Sequence, residues 1–259
     1  MPTIFRAFIA SLLVLCTFSF QSAFGQDYAR EKRWAQEVKQ GLVTGESVMI
    51  KEQRGPEFLG IYTQVQHPVA TVVLVHGLGV HPDHGIIGDL RTKLADLGYN
   101  TLAIQMPVLA ADAPQADYTK VMPDATKRIR AAAKWLTDHG QTNLVLVSHS
   151  MGSKMADFYF ATTAQNGGQQ PFHAWVAMGL GQAYTDVNGK YPFPMLDVYA
   201  ENDLPAVLAK ASERRTQLNA ANGSHQVEIG KTDHFYAGQE KALVSQIDQF
   251  LRGSTVAKN

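Results

Sequence analysis

Ser150 is the residue in this sequence best placed to do chemistry. It lies in Ser148-His149-Ser150-Met151-Gly152, directly after the aliphatic run Leu144-Val145-Leu146-Val147 and ahead of a segment that reads as a helix. The run is short, continuous and apolar, as strands covered on both faces are. A serine hydroxyl is a weak nucleophile until a base takes its proton. An imidazole is suited to that role, and a carboxylate behind it fixes the tautomer and stabilises the cation that forms. Further along, Asp197, Glu201 and Asp203 fall close together, and His225 and His234 are the histidines that follow Asp203. A different grouping, His81-Pro82-Asp83-His84, puts two histidines and an aspartate within reach of a metal. It reads better as a solvated loop before a helix, since it lacks a thiolate and a paired acidic ligand elsewhere.

The elements that must position these residues follow from hydrophobic periodicity. Gln26 to about Gly45 is polar and charged, with Trp34 and Val38 four apart, and predicts a short outer helix. Ser47 to Gln53 and Phe58 to Val65 predict an antiparallel edge hairpin around Arg54-Gly55-Pro56. Thr71 to Val75 is a buried-strand signal ending in His76-Gly77-Leu78-Gly79. Ile86, Ile87, Leu90, Leu94 and Leu97 recur at helical spacing before Gly98, and Asn100 to Gln105 is the next strand. Met106 to Pro123 reads as a loop over the carboxyl edge of the sheet, and Asp124 to His139 as a helix. After Ser150 come a helix (Met151 to Thr163), a strand (Phe172 to Met178) and an irregular insertion (Gly179 to Pro194). Met195 to Ala200, Pro205 to Ala221, Gln226 to Gly230 and Gly238 to Leu251 then alternate strand and helix. This alternation from Thr71 onward predicts a mostly parallel central sheet with helices on both faces.

Composition narrows the function classes. The 259 residues are 45% hydrophobic and 18% charged, which suits a globular chain with a substantial core. Residues 1–25 predict a signal peptide: Arg6, an apolar stretch from Ala7 to Phe20, and Ala23-Phe24-Gly25 at the cleavage positions. The protein is therefore expected to be exported, periplasmic or secreted, with residues 26–259 as one domain and no stable membrane span after cleavage. Cys16, the only cysteine, lies inside that segment, so the mature chain is expected to have no disulfide and no cysteine metal site. Removing Arg6 leaves 22 basic against 23 acidic residues, which offers no electrostatic reason for a nucleic-acid or acidic-membrane partner.

The strand, the Ser148-to-Gly152 turn and the following helix resemble the nucleophile elbow of the α/β-hydrolases, with Ser148 standing where the first glycine is usual. The resemblance runs from about Ser47 onward and implies the α/β-hydrolase fold. It also implies the chain order serine, acid, base, with the acid after the penultimate major strand and the histidine after the last. The matching acid is Asp203, in the loop past the strand end; Glu201 is its rival, and Asp197 lies within the strand. The matching base is His234, because His225 begins the last strand at its opposite end. The resemblance further implies an oxyanion hole from the backbone N–H groups of Met151 and Leu78. His-Pro-Asp after His-Gly-x-Gly, then Leu90-Arg91 and Gly98-Tyr99, is similar to an uncharacterised family of exported bacterial α/β-hydrolase-like proteins.

Two functions follow. The first is a serine hydrolase that cleaves a carboxylic ester through an acyl-enzyme, with a small-molecule acyl substrate and no cofactor; peptide or thioester cleavage would use the same machinery. The short insertion argues against a dedicated long-chain lipase, and its Tyr184, Tyr191 and Phe193 are candidates to line an apolar pocket. The second is a catalytically inert relative that binds a ligand or protein, motivated by Ser148 in the glycine position and by the lack of a recognisable substrate motif. A working site requires His234 to reach both Ser150 and Asp203.

Overall fold

The computed structural model of the chain describes residues 25–185 and 191–255. Cys16 and the expected signal peptide, apart from Gly25, lie outside the described residues. The elements run α1 (Tyr28–Gly41), β1 (Glu46–Lys51), β2 (Glu57–Thr63), β3 (Thr71–Val75), α2 (Gly85–Asp96), β4 (Asn100–Ile104), α3 (Met122–Asp138) and β5 (Leu144–His149). They continue with α4 (Met151–Gln165), β6 (Phe172–Met178), β7 (Met195–Asn202), α5 (Pro205–Gln217), β8 (His225–Asp233) and α6 (Glu240–Thr255). None of the described helices is long and apolar enough to cross a membrane.

The strands form one sheet in the order β1-β2-β4-β3-β5-β6-β7-β8. Strand β2 runs antiparallel to β1 and β4, and the other neighbours are parallel, so the expected edge hairpin and parallel body are both present. Alternation along the strands creates two apolar layers. Val73, Val75, Leu102, Ile104, Leu144 and Leu146 pack with α3 and α4. Val72, Leu74, Ala103, Val145 and Val147 pack with α2 and α6 on the opposite face. Every residue of β3, β4 and β5 is buried, as in strands covered on both faces.

Strand β3 is where the order branches, with β4 on one side and β5 on the other. The helices that follow β3 and β5 leave to opposite faces, and loops that diverge in this way open a crevice at the carboxyl edge. Ser150 and the His76-to-Gly79 loop both sit at this branch.

Several boundaries differ from the sequence reading for local reasons. Helix α3 starts at Met122, because Pro123 in a first turn forgoes only an N–H that has no intrahelical partner there. The 106–123 segment holds a 3-10 turn, Gln115–Val121, whose Tyr118 and Val121 are buried. Strands β7 and β8 run further than expected, with an irregularity after Ala200 that pairs Asn202 with Asp233. The next residues along each strand are Asp203 and His234.

The aromatic residues of the insertion do not line a pocket at the serine. Tyr184, Tyr191 and Phe193 are buried and pack with Phe160 and Trp175. The physical reason is topological. Pro194 leads into the start of β7, where its carbonyl accepts from Trp175 N–H, so this part of the insertion ends at the amino edge. Asp157 of α4 holds the described parts of both arms, accepting from Gln182, Thr185 and Tyr191.

Candidate active site

Ser150 joins β5 to α4 with φ 57° and ψ −118°, a conformation that strains a residue bearing a side chain by about 1–3 kcal/mol. The turn is held by the Ser150 N–H, which donates to the Met178 carbonyl at 2.8 Å, and by the Ser150 carbonyl, which accepts from Ser153 N–H at 2.9 Å. Gly152 is sterically required, because a Cβ there would lie 2.4 Å from the His76 carbonyl oxygen and 2.6 Å from that of Val75. Ser148, two residues before Ser150, is fully buried in a polar slot. Its hydroxyl accepts from Trp175 Nε1 at 2.9 Å and lies 3.2 Å from the Val176 carbonyl, to which it donates. The turn therefore closes with serine where glycine is usual.

His234 and Asp203 meet Ser150 across the sheet edge. His234 Nε2 lies 2.8 Å from Ser150 Oγ, and His234 Nδ1 lies 2.5 Å from Asp203 Oδ1. A carboxylate only accepts, so Nδ1 carries the proton and Nε2 is left to accept from the serine hydroxyl. Asp203 is oriented by backbone donors: Leu204 N–H to Oδ1 at 2.8 Å and Ala200 N–H to Oδ2 at 3.0 Å. Burial raises the Asp203 carboxyl, but the hydrogen bonds from His234, Ala200 and Leu204 outweigh it, holding the group below the usual carboxylate range.

The rival residues are engaged elsewhere. Glu201 accepts from Lys231 N–H at 2.6 Å, and Asp197 pairs with Arg214 inside the sheet layer. His225 starts β8, with Nδ1 3.0 Å from the Gly223 carbonyl. Asp83 is taken by Arg91 at 2.5 Å, and His81 packs against Trp34 and His84. Among the described residues no group of three or more His, Cys, Asp or Glu side chains could hold a metal ion.

Met151 opens α4, where N–H groups of the first turn have no intrahelical acceptor. Leu78 is partly exposed in the loop after β3, and that loop runs against the serine: a Cβ on Gly77 would be 3.3 Å from Ser150 Cβ. Three side chains that the sequence reading left unassigned hold this loop. His76 donates from Nδ1 to the Gly77 carbonyl at 2.9 Å and accepts at Nε2 from Met106 N–H at 2.8 Å, burial having pushed its pKa down to about 3. Gln105 donates to the Val80 carbonyl at 3.3 Å, and Arg30 of α1 donates to the Gly79 and Leu109 carbonyls.

Two further residues at the site were missed. Gly179, at φ 61°, lies against the base: a Cβ there would be 2.7 Å from His234 Cε1. Its signal was a glycine directly after an apolar strand, as at a sheet edge where a loop must pass close. His149, which the sequence suggests only as pocket wall or surface, is buried beside His234.

No family model and no curated protein matches the sequence. Solved structures do share the fold. A dienelactone hydrolase from Anabaena variabilis aligns over 81% of this chain and 97% of its own, at 18% identity and a TM-score of 0.64. An esterase from Pyrococcus furiosus aligns over 81% and 91%, at 17% identity and 0.62. An α/β serine hydrolase without a lid, from Xanthomonas campestris, aligns over 82% and 95%, at 16% identity and 0.60. The chain has the α/β-hydrolase fold.

Proposed function

We propose that this chain is a serine hydrolase that cleaves a carboxylic ester of a small or medium acyl group through an acyl-enzyme. The observation that carries the reading is the unbroken hydrogen-bonded line from Ser150 through His234 to Asp203. In the first step Ser150 Oγ bonds to the ester carbonyl carbon as its proton passes to His234 Nε2. Asp203 stays ionised and balances the imidazolium. The N–H groups of Met151 and Leu78 take the oxyanion, and the tetrahedral species collapses as His234 returns its proton to the departing alkoxide. Water then repeats the sequence on the acyl-enzyme and frees the acid. No metal or organic cofactor enters these steps.

The similar folds named as an esterase and a dienelactone hydrolase support hydrolysis, and the short insertion supports substrates smaller than long-chain lipids. Of the two motives for the inert-binder alternative, the slot that receives the Ser148 hydroxyl answers the first, and the lack of a substrate motif stands. Residues 1–25 add the proposal that the enzyme acts outside the cytoplasm. The deciding experiment is labelling with a fluorophosphonate probe. Wild type is expected to label, and Ser150→Ala and His234→Ala are expected not to. A folded wild type that stays unlabelled would sink the reading and leave ligand binding as the use of the scaffold.

A further inference from the structure

We propose that His149 is a positioning residue for the His234 imidazole, acting as a neutral hydrogen-bond donor to the His234 main chain. This rests on the hydrolase reading above. His149 Nε2 lies 2.9 Å from the His234 carbonyl oxygen; a carbonyl only accepts, so Nε2 bears the proton. The two imidazole rings are 4.8 Å apart between centroids, and the His149 ring also meets Phe235 at 6.4 Å and Tyr236 at 6.0 Å. The glycines of two other loops close on the same ring. A Cβ on Gly77 would be 3.5 Å from His149 Nδ1, and one on Gly179 would be 3.8 Å from its Cδ2.

His149 thus stands where the loops after β3, β6 and β8 converge, yet it belongs to the sheet itself, paired in register with Met178 of β6. A histidine on a loop has no intrinsic reason to hold its ring within hydrogen-bonding range of two partners. A donor on a rigid strand supplies one, by fixing the backbone from which the imidazole hangs. Burial pushes the His149 pKa down to about 4, so at neutral pH no second cation competes with the imidazolium that must form on His234.

The test compares His149→Phe, which keeps an aromatic ring and loses the donor, with His149→Gln, whose amide nitrogen can replace Nε2. Each is read by the rate of fluorophosphonate labelling and by the downfield proton resonance of His234 Nδ1 against Asp203. We expect His149→Phe to label roughly tenfold or more slowly than wild type, since small misplacements of a reacting group have effects of this order. Its Nδ1 resonance should be lost to exchange, and His149→Gln should restore both signals. Wild-type labelling rates in both variants would reduce His149 to a space-filler and overturn the proposal. If wild type itself does not label, the hydrolase reading falls, and the resonance decides alone: kept in His149→Phe overturns positioning, lost there and kept in His149→Gln upholds it. Should His149→Phe not fold, His149→Leu, smaller and also without a donor, takes its place.

Discussion

Two buried carboxylates six residues apart, one inside β7 and one just past its end, differ in their partners. Asp197, inside β7, accepts from Arg214 Nε at 2.9 Å and 3.0 Å and from Gln226 at 2.6 Å, with both charged side chains wholly buried. Asp203, one residue past the end of β7, accepts from His234 and two backbone N–H groups. Arg214 cannot release its proton and touches the Leu180 and Val207 carbonyls, so that pair braces α5 against the sheet. His234 can exchange its proton, and it touches a hydroxyl in a crevice. On the proposed reading, burial and pairing alone do not mark a catalytic acid. The partner must be able to change charge, and the pair must stand where a substrate can arrive.

Removing the basic partner from each carboxylate should break the comparison most sharply. His234→Ala is expected to lower turnover by up to roughly 10⁶-fold, as loss of a base from such a triad does, with a smaller loss of about 1–3 kcal/mol in urea unfolding. Arg214→Met should leave labelling per folded molecule unchanged and lower the unfolding free energy by about 3–5 kcal/mol, because a buried carboxylate loses its counter-charge. Equal effects on both readouts in both variants would erase the distinction. Asp203→Asn, which keeps the shape of the acid but misdirects the imidazole tautomer, should reduce turnover by roughly 10³–10⁴-fold in steady-state kinetics. Next in size comes Gly179→Ala. Its methyl group would press on the His234 ring at a φ unsuited to alanine, and we expect a loss of roughly 10–100-fold in turnover and about 1 kcal/mol in stability.

The smallest effects concern the surroundings and pH. Ser148→Ala deprives the Trp175 indole N–H of its acceptor, so a fall of about 1–3 kcal/mol is expected in unfolding experiments, with turnover nearly unchanged. For Asp203 the folded carboxyl sits below its ordinary value of 3.8. Its stabilisation is therefore present above that value and lost as the pH falls through the lower folded one. The stability gap between wild type and Asp203→Asn should accordingly shrink as the pH falls below 3.8; a gap that widens there would contradict the hydrogen bonds assigned to Asp203.

The parts of the site legible in the sequence were those written in contiguous residues. The apolar run before Ser150, the small residues around it and the helix after it are one local signal, because backbone conformation at a tight turn is dictated by its own side chains. Asp197 was separable from Asp203 for a related reason: one is inside an apolar strand and the other precedes Leu204-Pro205, a helix start. His149, Gly179 and Arg30 carried no comparable mark. Each acts on a segment at least 49 residues away from it in sequence or on a ring reached only across the sheet edge.

The insertion makes the same point from the opposite direction. Its aromatic residues looked suited to a substrate pocket, and their types were no guide to which edge of the sheet they reached. Direction along a parallel strand decided that, since the residues leading into β7 must lie at the amino edge and Ser150 at the carboxyl edge. The sequence by itself determined the alternation of strands and helices, the turn that raises Ser150, and a set of acids and bases in a definite chain order. Only the tertiary structure decided which of these groups meet. Pairing of Asn202 with Asp233 brings the ends of β7 and β8 side by side, and a hydrogen bond depends on a few tenths of an ångström that no local preference encodes.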